Sequence, residues 1–147
     1  MIKQFEKLTT EERTLLYKAP VLVSILASSS FNEIEINKSQ KADAINLAHL
    51  KTFTAIPLLL PYYAEVEKGF KTAFEAEIKK YFPFDEAKRN ELKKEMENSN
   101  LIIEKLDKEY AEALGKSLEK YTKHVKAATQ SVFQDFIFPM PIKGLSY

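Results

Sequence analysis

The side chains best suited to bind a cation lie in a short acidic stretch between two segments with helical patterns. The acids Glu33 and Glu35 alternate with Ile34 and Ile36, and Asn32 precedes them. Asn32, Glu33 and Glu35 are the candidate metal ligands if this loop binds a divalent cation, because Ca²⁺ and Mg²⁺ prefer oxygen donors. The alternative is a turn whose isoleucines pack between helix ends, since alternate residues of an extended segment point to the same side. We favour the turn, and we therefore predict no bound metal and no other cofactor.

Few residues of this chain are candidates for nucleophilic or acid–base catalysis. Three consecutive serines, Ser28, Ser29 and Ser30, lack the flanking glycines or the lysine of known serine-nucleophile motifs. His49 and His124 each lie in a helical pattern, with no second histidine or acid three or four residues further on. The chain has no cysteine, no phosphate-binding glycine loop and no dinucleotide-binding fingerprint. We therefore expect a protein that is not an enzyme, and an enzyme built on dispersed carboxylates is kept as a further alternative.

Positive and negative charges are nearly balanced. Lysine and arginine number 22 and aspartate and glutamate 21, for a net charge of +1, which favours neither nucleic acid nor a membrane surface as partner. A lysine stripe on the last predicted helix could bind phosphate, but interspersed glutamates favour a solvated face. The stripe comprises Lys116, Lys120, Lys123 and Lys126. The N-terminus lacks the apolar core of a signal peptide, and no apolar run could span a bilayer, so we expect a cytoplasmic protein.

Composition and spacing predict an all-α fold, with one domain built as an irregular bundle of about five to six helices. Only three of the 147 residues are glycine. Thr9 and Glu12 form a capping-box pattern at the first helix, in which Pro20 predicts either a kink or an end near Lys18. Asn37 opens the second helix, whose wide apolar arc predicts a position near the centre of the fold. This arc comprises Ala42, Ile45, Leu47, Ala48, Leu50 and Phe53.

Prolines and polar residues mark the remaining helix boundaries. A bend is predicted at Pro57 and Pro61, followed by a helix over 61–82 with one apolar stripe. Asp85 can cap the next helix, and a kink or break is predicted within 98–107. On the polar face of the 61–82 helix, two glutamates precede lysines by four residues, which predicts ion pairs along that helix. These pairs are Glu67 with Lys71 and Glu75 with Lys79.

The C-terminal residues from about 133 to 147 contain two prolines and no helical period, which predicts an extended tail. The apolar side chains of Phe136, Ile137 and Phe138 favour docking of this tail on the helical body. Near-heptad spacing in the last long helix allows packing within the chain or across a twofold axis. Monomer and homodimer therefore both stay open.

One stretch of the sequence has a pattern that resembles part of a known protein family. A helix ending in VSILASS, a short loop containing an isoleucine and a capped helix SQKADAINLAHL follow one another within residues 15–53. This order resembles the opening of TerB-like tellurite-resistance domains, a small all-helical family. The resemblance implies a loop of the form Asp-Gly-x-Ile with further acids, which is linked to divalent metal binding. Phe31 and Asn32 stand here in place of Asp-Gly, and Glu33 and Glu35 remain.

Two classes of function follow from these patterns. The leading hypothesis is a non-enzymatic helical module that binds an unidentified protein partner, with the stress-related role that the TerB-like resemblance implies. The alternative is a binder of a small apolar or divalent-metal ligand in an interhelical cavity, which some of the ten phenylalanines and seven tyrosines could line. An enclosed apolar cavity with convergent polar groups would favour the ligand. A filled core beside an exposed apolar patch would favour the partner protein.

Overall fold

The computed structural model describes the backbone of residues 2–28 and 38–126, and this part of the chain folds as a single all-α domain. The predicted fold class is therefore confirmed. The described helices are α1 Thr10–Ser28, α2 Lys38–Thr54, α3 Leu60–Tyr81, α4 Glu86–Ile103 and α5 Lys108–Lys126. Short 3-10 turns precede two of them, at Lys3–Phe5 and Pro57–Leu59. The predicted tail over 133–147 and the cap at Asn37 lie outside the described residues.

Helix α1 is the central helix, and it packs against α3, α4 and α5. Its second half reads VLVSIL over residues 21–26, and all six of these side chains are buried. A helix that is apolar on every side is stable only where other elements surround it. Helix α2 packs mainly against α3, and its residues Leu50 and Phe53 are exposed. The prediction that placed α2 near the centre is therefore wrong.

Pro20 lies inside α1, which continues through it from Thr10 to Ser28. The alternative of a helix ending near Lys18 is therefore wrong. A proline has no N–H, so the carbonyl of Leu16, one turn earlier, loses its partner within the helix. The hydroxyl of Tyr62 on α3 donates to that carbonyl, with an O–O distance of 2.6 Å. The buried backbone group left by Pro20 is thus satisfied from the neighbouring helix, which helps to keep α1 continuous.

Polar side chains cap the helices at positions that the sequence predicts. The Thr9 backbone N–H donates to the Glu12 carboxylate at 2.9 Å, and the Glu12 N–H donates to the Thr9 hydroxyl at 3.1 Å. The Asp85 carboxylate accepts from the Lys88 N–H at 2.8 Å at the start of α4. Helices α4 and α5 are separated by residues 104–107, and the carboxylate of Asp107 accepts from the N–H of Tyr110 at 3.2 Å. The capping box, the Asp85 cap and the predicted break are confirmed.

The apolar stripe of α3 forms much of the core, as predicted. Its buried members include Tyr63, Val66, Phe70, Phe74 and Tyr81, and Ile78 is partly buried. The glutamates of the predicted α3 pairs contact α2, since Glu67 contacts His49 and Glu75 contacts Lys41, while Lys71 and Lys79 act on Glu75 through their charge. Lys41 pairs with the later glutamate and His49 with the earlier one, so α2 and α3 run antiparallel. The acidic side of α3 faces α2, and the spacing of residues within α3 alone could not reveal this contact.

The interior of the bundle is rich in aromatic rings. Five tyrosines are buried, at positions 62, 63, 81, 110 and 121. Phe5, carried by the first 3-10 turn, is fully buried, with ring centroids 5.6 Å from Tyr110 and 6.3 Å from Tyr62. The rings of Tyr62 and Tyr63 meet edge to face at 5.0 Å. The aromatic residues therefore fill the core of the described bundle.

Candidate functional site

Two of the three large apolar side chains that are exposed among the described residues lie on the outer side of α2. Phe53 is 71% exposed and Leu50 is 47% exposed, and they lie three residues apart on the same side of the helix. The ring of His49 stands beside Phe53, with centroids 5.2 Å apart in an edge-to-face arrangement. We call His49, Leu50 and Phe53 the α2 face. It exposes two large apolar side chains within one helical turn.

The rotation of α2 about its axis explains why this face points outward. Over residues 41–54 of α2 the buried side chains are Ala44, Leu47 and Ala48, and two of these three are alanines that allow a close approach to α3. His49 Nδ1 contacts the carboxylate of Glu67 on α3, which fixes one edge of the α2 face against the bundle. The wide apolar arc of α2 therefore has one part buried against α3 and one part left at the surface.

A half-buried lysine lies on the inward side of α2, away from the α2 face. The Lys51 ammonium lies 5.9 Å from the ring centroid of Tyr63, in a cation–π arrangement. Burial lowers the pKa of Lys51, and the positive charge of Lys120 on α5 lowers it further. No carboxylate pairs with the Lys51 ammonium among the described residues. Lys51 is therefore a half-buried cation on the inner side of α2.

The polar pair on Tyr63 and Ser117 is structural. The Tyr63 and Ser117 hydroxyls share a hydrogen bond of 2.6 Å, and both side chains are buried. Burial raises the pKa of Tyr63, while the Ser117 hydroxyl acts in the opposite direction. Tyr63 is therefore neutral near neutral pH, and Ser117 is closed to a substrate. The pair joins α3 to α5 beneath Lys51.

A second surface feature is an open groove between α1 and α3. One part of it has a volume of about 200 Å³, and its apolar lining includes Val21, Val66, Phe70 and Ala73. A Cβ built on Gly69, which also lines it, would meet no other side chain or packed element within 4 Å. The space over Gly69 is therefore part of the groove rather than a close helix contact.

Polar groups stand where this groove meets a wider one of about 850 Å³ at the N-terminal turn. Tyr17 and Glu65 line both parts. Burial raises the pKa of Tyr17, as does the negative charge of Glu65, while Arg13 acts in the opposite direction. The Arg13 guanidinium is held by the carbonyls of Phe5 and Glu6, at 2.9 and 3.1 Å. Tyr17 thus presents a neutral hydroxyl beside one acid and one anchored cation.

The residues that the sequence put forward for chemistry are not brought together. Asn32, Glu33 and Glu35 lie outside the described residues, as does the serine loop beyond Ser28. His49 and His124 are both exposed, and His49 contacts the carboxylate of Glu67. Within residues 2–28 and 38–126, no group of three histidines or acids is placed to hold a metal ion. In the lysine stripe, Lys123 pairs with Glu119 at 3.5 Å, in keeping with a solvated face.

Lys51 was not singled out from the sequence, although its position in the helical pattern of α2 marks it as unusual. Lys51 stands at helical spacing between Ala48 and Ala55 on the inward side of α2. A lysine in such a stripe is either covered by its own methylene stem or paired with an acid. Only the tertiary structure shows that Tyr63 and Lys120 are its neighbours.

Comparison with known proteins adds no family to this description. No protein-family model matches the sequence, and neither a curated protein nor a solved structure is detectably similar. The TerB-like resemblance of residues 15–53 therefore stays a prediction. Among the described helices, none has the length and apolarity that a membrane span requires.

Proposed function

We propose that this protein is a non-enzymatic interaction module that docks a partner protein on the α2 face. The observation that supports the proposal is the exposure of Phe53 and Leu50 beside a core filled by buried aromatic and aliphatic side chains. Large apolar side chains that share one exposed turn mark contact sites more often than isolated ones do. A stress-related role and a cytoplasmic location belong to the same proposal, and the stress-related role rests on the sequence pattern of residues 15–53.

The energetic basis of docking is burial of these two side chains. Full burial of a leucine or phenylalanine is worth about 1.5–3 kcal/mol each relative to exposure. The contact between His49 and Glu67 holds one edge of the face in place before a partner arrives. A preorganised helix loses little conformational freedom on binding, so more of the burial energy appears as affinity. The α2 face can therefore supply a small, central anchor for an interface.

The test is selection of binders followed by matched substitutions. A yeast-displayed library of helical peptides is selected against the full chain, and the affinity of the recovered peptides is measured for each variant. Phe53→Asp should weaken binding about tenfold or more, as for a central interface anchor. Leu101→Asp is the control, because Leu101 is 59% exposed on α4, outside the α2 face.

Both variants should keep the helical circular dichroism and the melting temperature of the native chain, since both side chains are at the surface. The proposal would be overturned if Phe53→Asp left the affinity of the binders unchanged, or if Leu101→Asp weakened it equally. A dimer that Phe53→Asp dissociates, seen by light scattering, would identify a second copy of the chain as the occupant.

We also propose a second candidate function, in which the groove between α1 and α3 binds a small apolar molecule. The favouring observation is Gly69, whose missing side chain leaves the groove open although no packed element requires a glycine there. A volume of about 200 Å³ is slightly larger than a cavity of about 150 Å³ that binds benzene. Gly69→Leu should block such a ligand, whereas Lys71→Leu, an exposed change on the same helix, should not. Equal binding of an apolar fluorescent probe to both variants would exclude the groove.

A further inference from the structure

We infer that the C-terminal residues 133–142 of this chain dock on the α2 face and cover Leu50 and Phe53 when no partner is bound. This inference rests on the proposed function and deepens it, because it names the regulation of the same site. Residues 133–142 read FQDFIFPMPI, and we call them the tail segment. A partner protein must displace the tail segment before it reaches the α2 face.

The first observation is the composition of the tail segment. Six of its ten side chains are large and apolar, and Asp135 is its one charged residue. The apolar members are Phe133, Phe136, Ile137, Phe138, Met140 and Ile142. Apolar side chains at this density are stabilised when they leave water, so a segment of this kind favours contact with another apolar surface.

The second observation is the match between the tail segment and the α2 face. Leu50 and Phe53 share one exposed turn of α2, whereas Leu101, the third exposed large apolar side chain of the described residues, lies on α4. Residues three apart on a helix have Cβ atoms about 5–6 Å from each other. Alternate residues of an extended segment, such as Phe136 and Phe138, point to one side at a spacing of about 6.5 Å. Two neighbouring tail rings therefore fit the two exposed side chains of the α2 face.

The third observation is the place where the described part of the chain ends. Helix α5 ends at Lys126, and its later turns lie beside the C-terminal part of α2. Tyr63 joins the two helices, because Tyr121 of α5 stacks on its ring at 6.3 Å and the Lys51 ammonium lies 5.9 Å from the same ring centroid. Lys51 directly follows Leu50. The tail segment therefore leaves the bundle next to the helix that carries the α2 face.

The length of the connection allows the tail segment to reach the outer side of α2. Residues 127–132 link α5 to the tail segment. Six residues of extended chain span up to about 20 Å. A helix with its side chains is about 10–12 Å across, so a linker of this length can pass from the inner side of α2 to the outer side. Leu50 and Phe53 are thus within reach of the tail segment of the same molecule.

Tethering gives the tail segment an advantage over a free partner. A segment on a short linker is present at its site at a millimolar effective concentration, so a weak contact is enough to cover the site for much of the time. The apparent affinity of a partner then falls in proportion to the fraction of molecules in which the site is open. The tail segment therefore acts as a built-in competitor for the α2 face.

The first experiment is photo-crosslinking in the full chain. The photoreactive amino acid benzoylphenylalanine replaces Phe53, which keeps an aromatic side chain at that position. Trypsin cuts after Lys126 and Lys143, so the tail segment is contained in the peptide 127–143. After irradiation, mass spectrometry should find position 53 joined to this peptide. A mixture of isotopically light and heavy chains should show that the crosslink forms within one molecule.

The control for the crosslink is the same amino acid at Leu101, which is 59% exposed on α4. It should not attach to the peptide 127–143. A crosslink from position 53 to any other part of the chain, or one that forms only between molecules, would overturn the inference. So would equal crosslinking of the peptide 127–143 from positions 53 and 101.

The second experiment measures the competition. The double variant Phe136→Asp with Phe138→Asp should abolish the crosslink, and it should raise the affinity of the selected Phe53-dependent peptides about threefold, as expected if the α2 face is open in about a third of the molecules. Ser131→Asp with Gln134→Asp is the matched control, because it adds the same charge and keeps every apolar side chain. It should change neither result, and circular dichroism confirms that both double variants fold.

The outcomes separate the inference from the proposed function. Equal peptide affinity for the native chain and for the Phe136→Asp, Phe138→Asp variant would overturn the inference and leave the proposed function standing. A selection against that variant that yields no Phe53-dependent peptide would overturn the proposed function, even if the crosslink to the tail segment forms.

Discussion

The bond between Tyr62 and Leu16 offers a sharp test of how α1 tolerates its proline. Tyr62→Phe removes the hydroxyl that donates to the Leu16 carbonyl, and Tyr62 and Leu16 are both fully buried. The ring stays, so packing is preserved. The carbonyl is left without a partner, because residue 20 is a proline and has no N–H to offer.

The expected cost follows from two contributions. A typical buried hydrogen bond contributes about 1 kcal/mol net, and leaving a buried acceptor unsatisfied raises the loss to about 1–3 kcal/mol. We expect Tyr62→Phe to lower the free energy of unfolding by about 2 kcal/mol. For a domain of this size that corresponds to a fall of roughly 6 °C in melting temperature. Chemical denaturation followed by circular dichroism measures it.

A double-mutant cycle with Pro20→Ala identifies the mechanism. Alanine restores an N–H at position 20, which can donate to the Leu16 carbonyl within the helix. In that background Tyr62→Phe should therefore cost less, about 1 kcal/mol or below. Tyr63→Phe, next to it in α3, is the control, because its partner is Ser117 and its cost should be the same in both backgrounds. An equal cost of Tyr62→Phe with and without Pro20 would refute the compensation.

Three further predictions concern other parts of the chain. Gly69→Ala should raise the free energy of unfolding by about 1 kcal/mol in a urea titration, since glycine disfavours a helix and the new Cβ meets no obstacle. A hydrogen bond from Lys105 and another from the Thr9 backbone lower the pKa of Glu12. The ionised form of Glu12 therefore stabilises the fold, and this contribution disappears as the pH falls below about 4.5. Glu12→Gln should reduce the dependence of the free energy of unfolding on pH in this acid range. Millimolar Ca²⁺, Mg²⁺ or Zn²⁺ should leave the melting temperature unchanged, and a rise that Glu33→Ala abolishes would revive a metal site in the acidic loop.

Local signals predicted the fold class and most helix boundaries. Thr9 and Asp85 act within one turn of their own position, so their effect on a helix end is nearly independent of the rest of the fold. The α3 stripe is equally local, because a spacing of three and four residues places side chains on one face. These features could be predicted because each depends on neighbours in sequence.

The errors arose where one helix meets another. The apolar arc of α2 is wide enough for a central helix, but α1 occupies the centre because residues 21–26 are apolar on every side. Glu67 and Glu75 have lysines at favourable spacing, yet they pair with residues of α2. The exposed α2 face and the position of Lys51 depend on the same helix-to-helix choices, so they could not be predicted from spacing within α2 alone.

The buried tyrosines of the core have a consequence for the behaviour of the protein in alkali. Five of the six tyrosines that the structure describes are buried, and burial raises the pKa of each of the five above the ordinary tyrosine value of 10. Their neutral state stabilises the fold below that pH, and this stabilisation is lost as the pH rises, because the unfolded chain releases its phenolic protons first. The phenolic protons of the core should therefore leave together, in one steep and cooperative transition that is simultaneously a titration and an unfolding. The chain contains no tryptophan, so the ultraviolet absorbance of its phenolate groups can follow both events with an intrinsic signal.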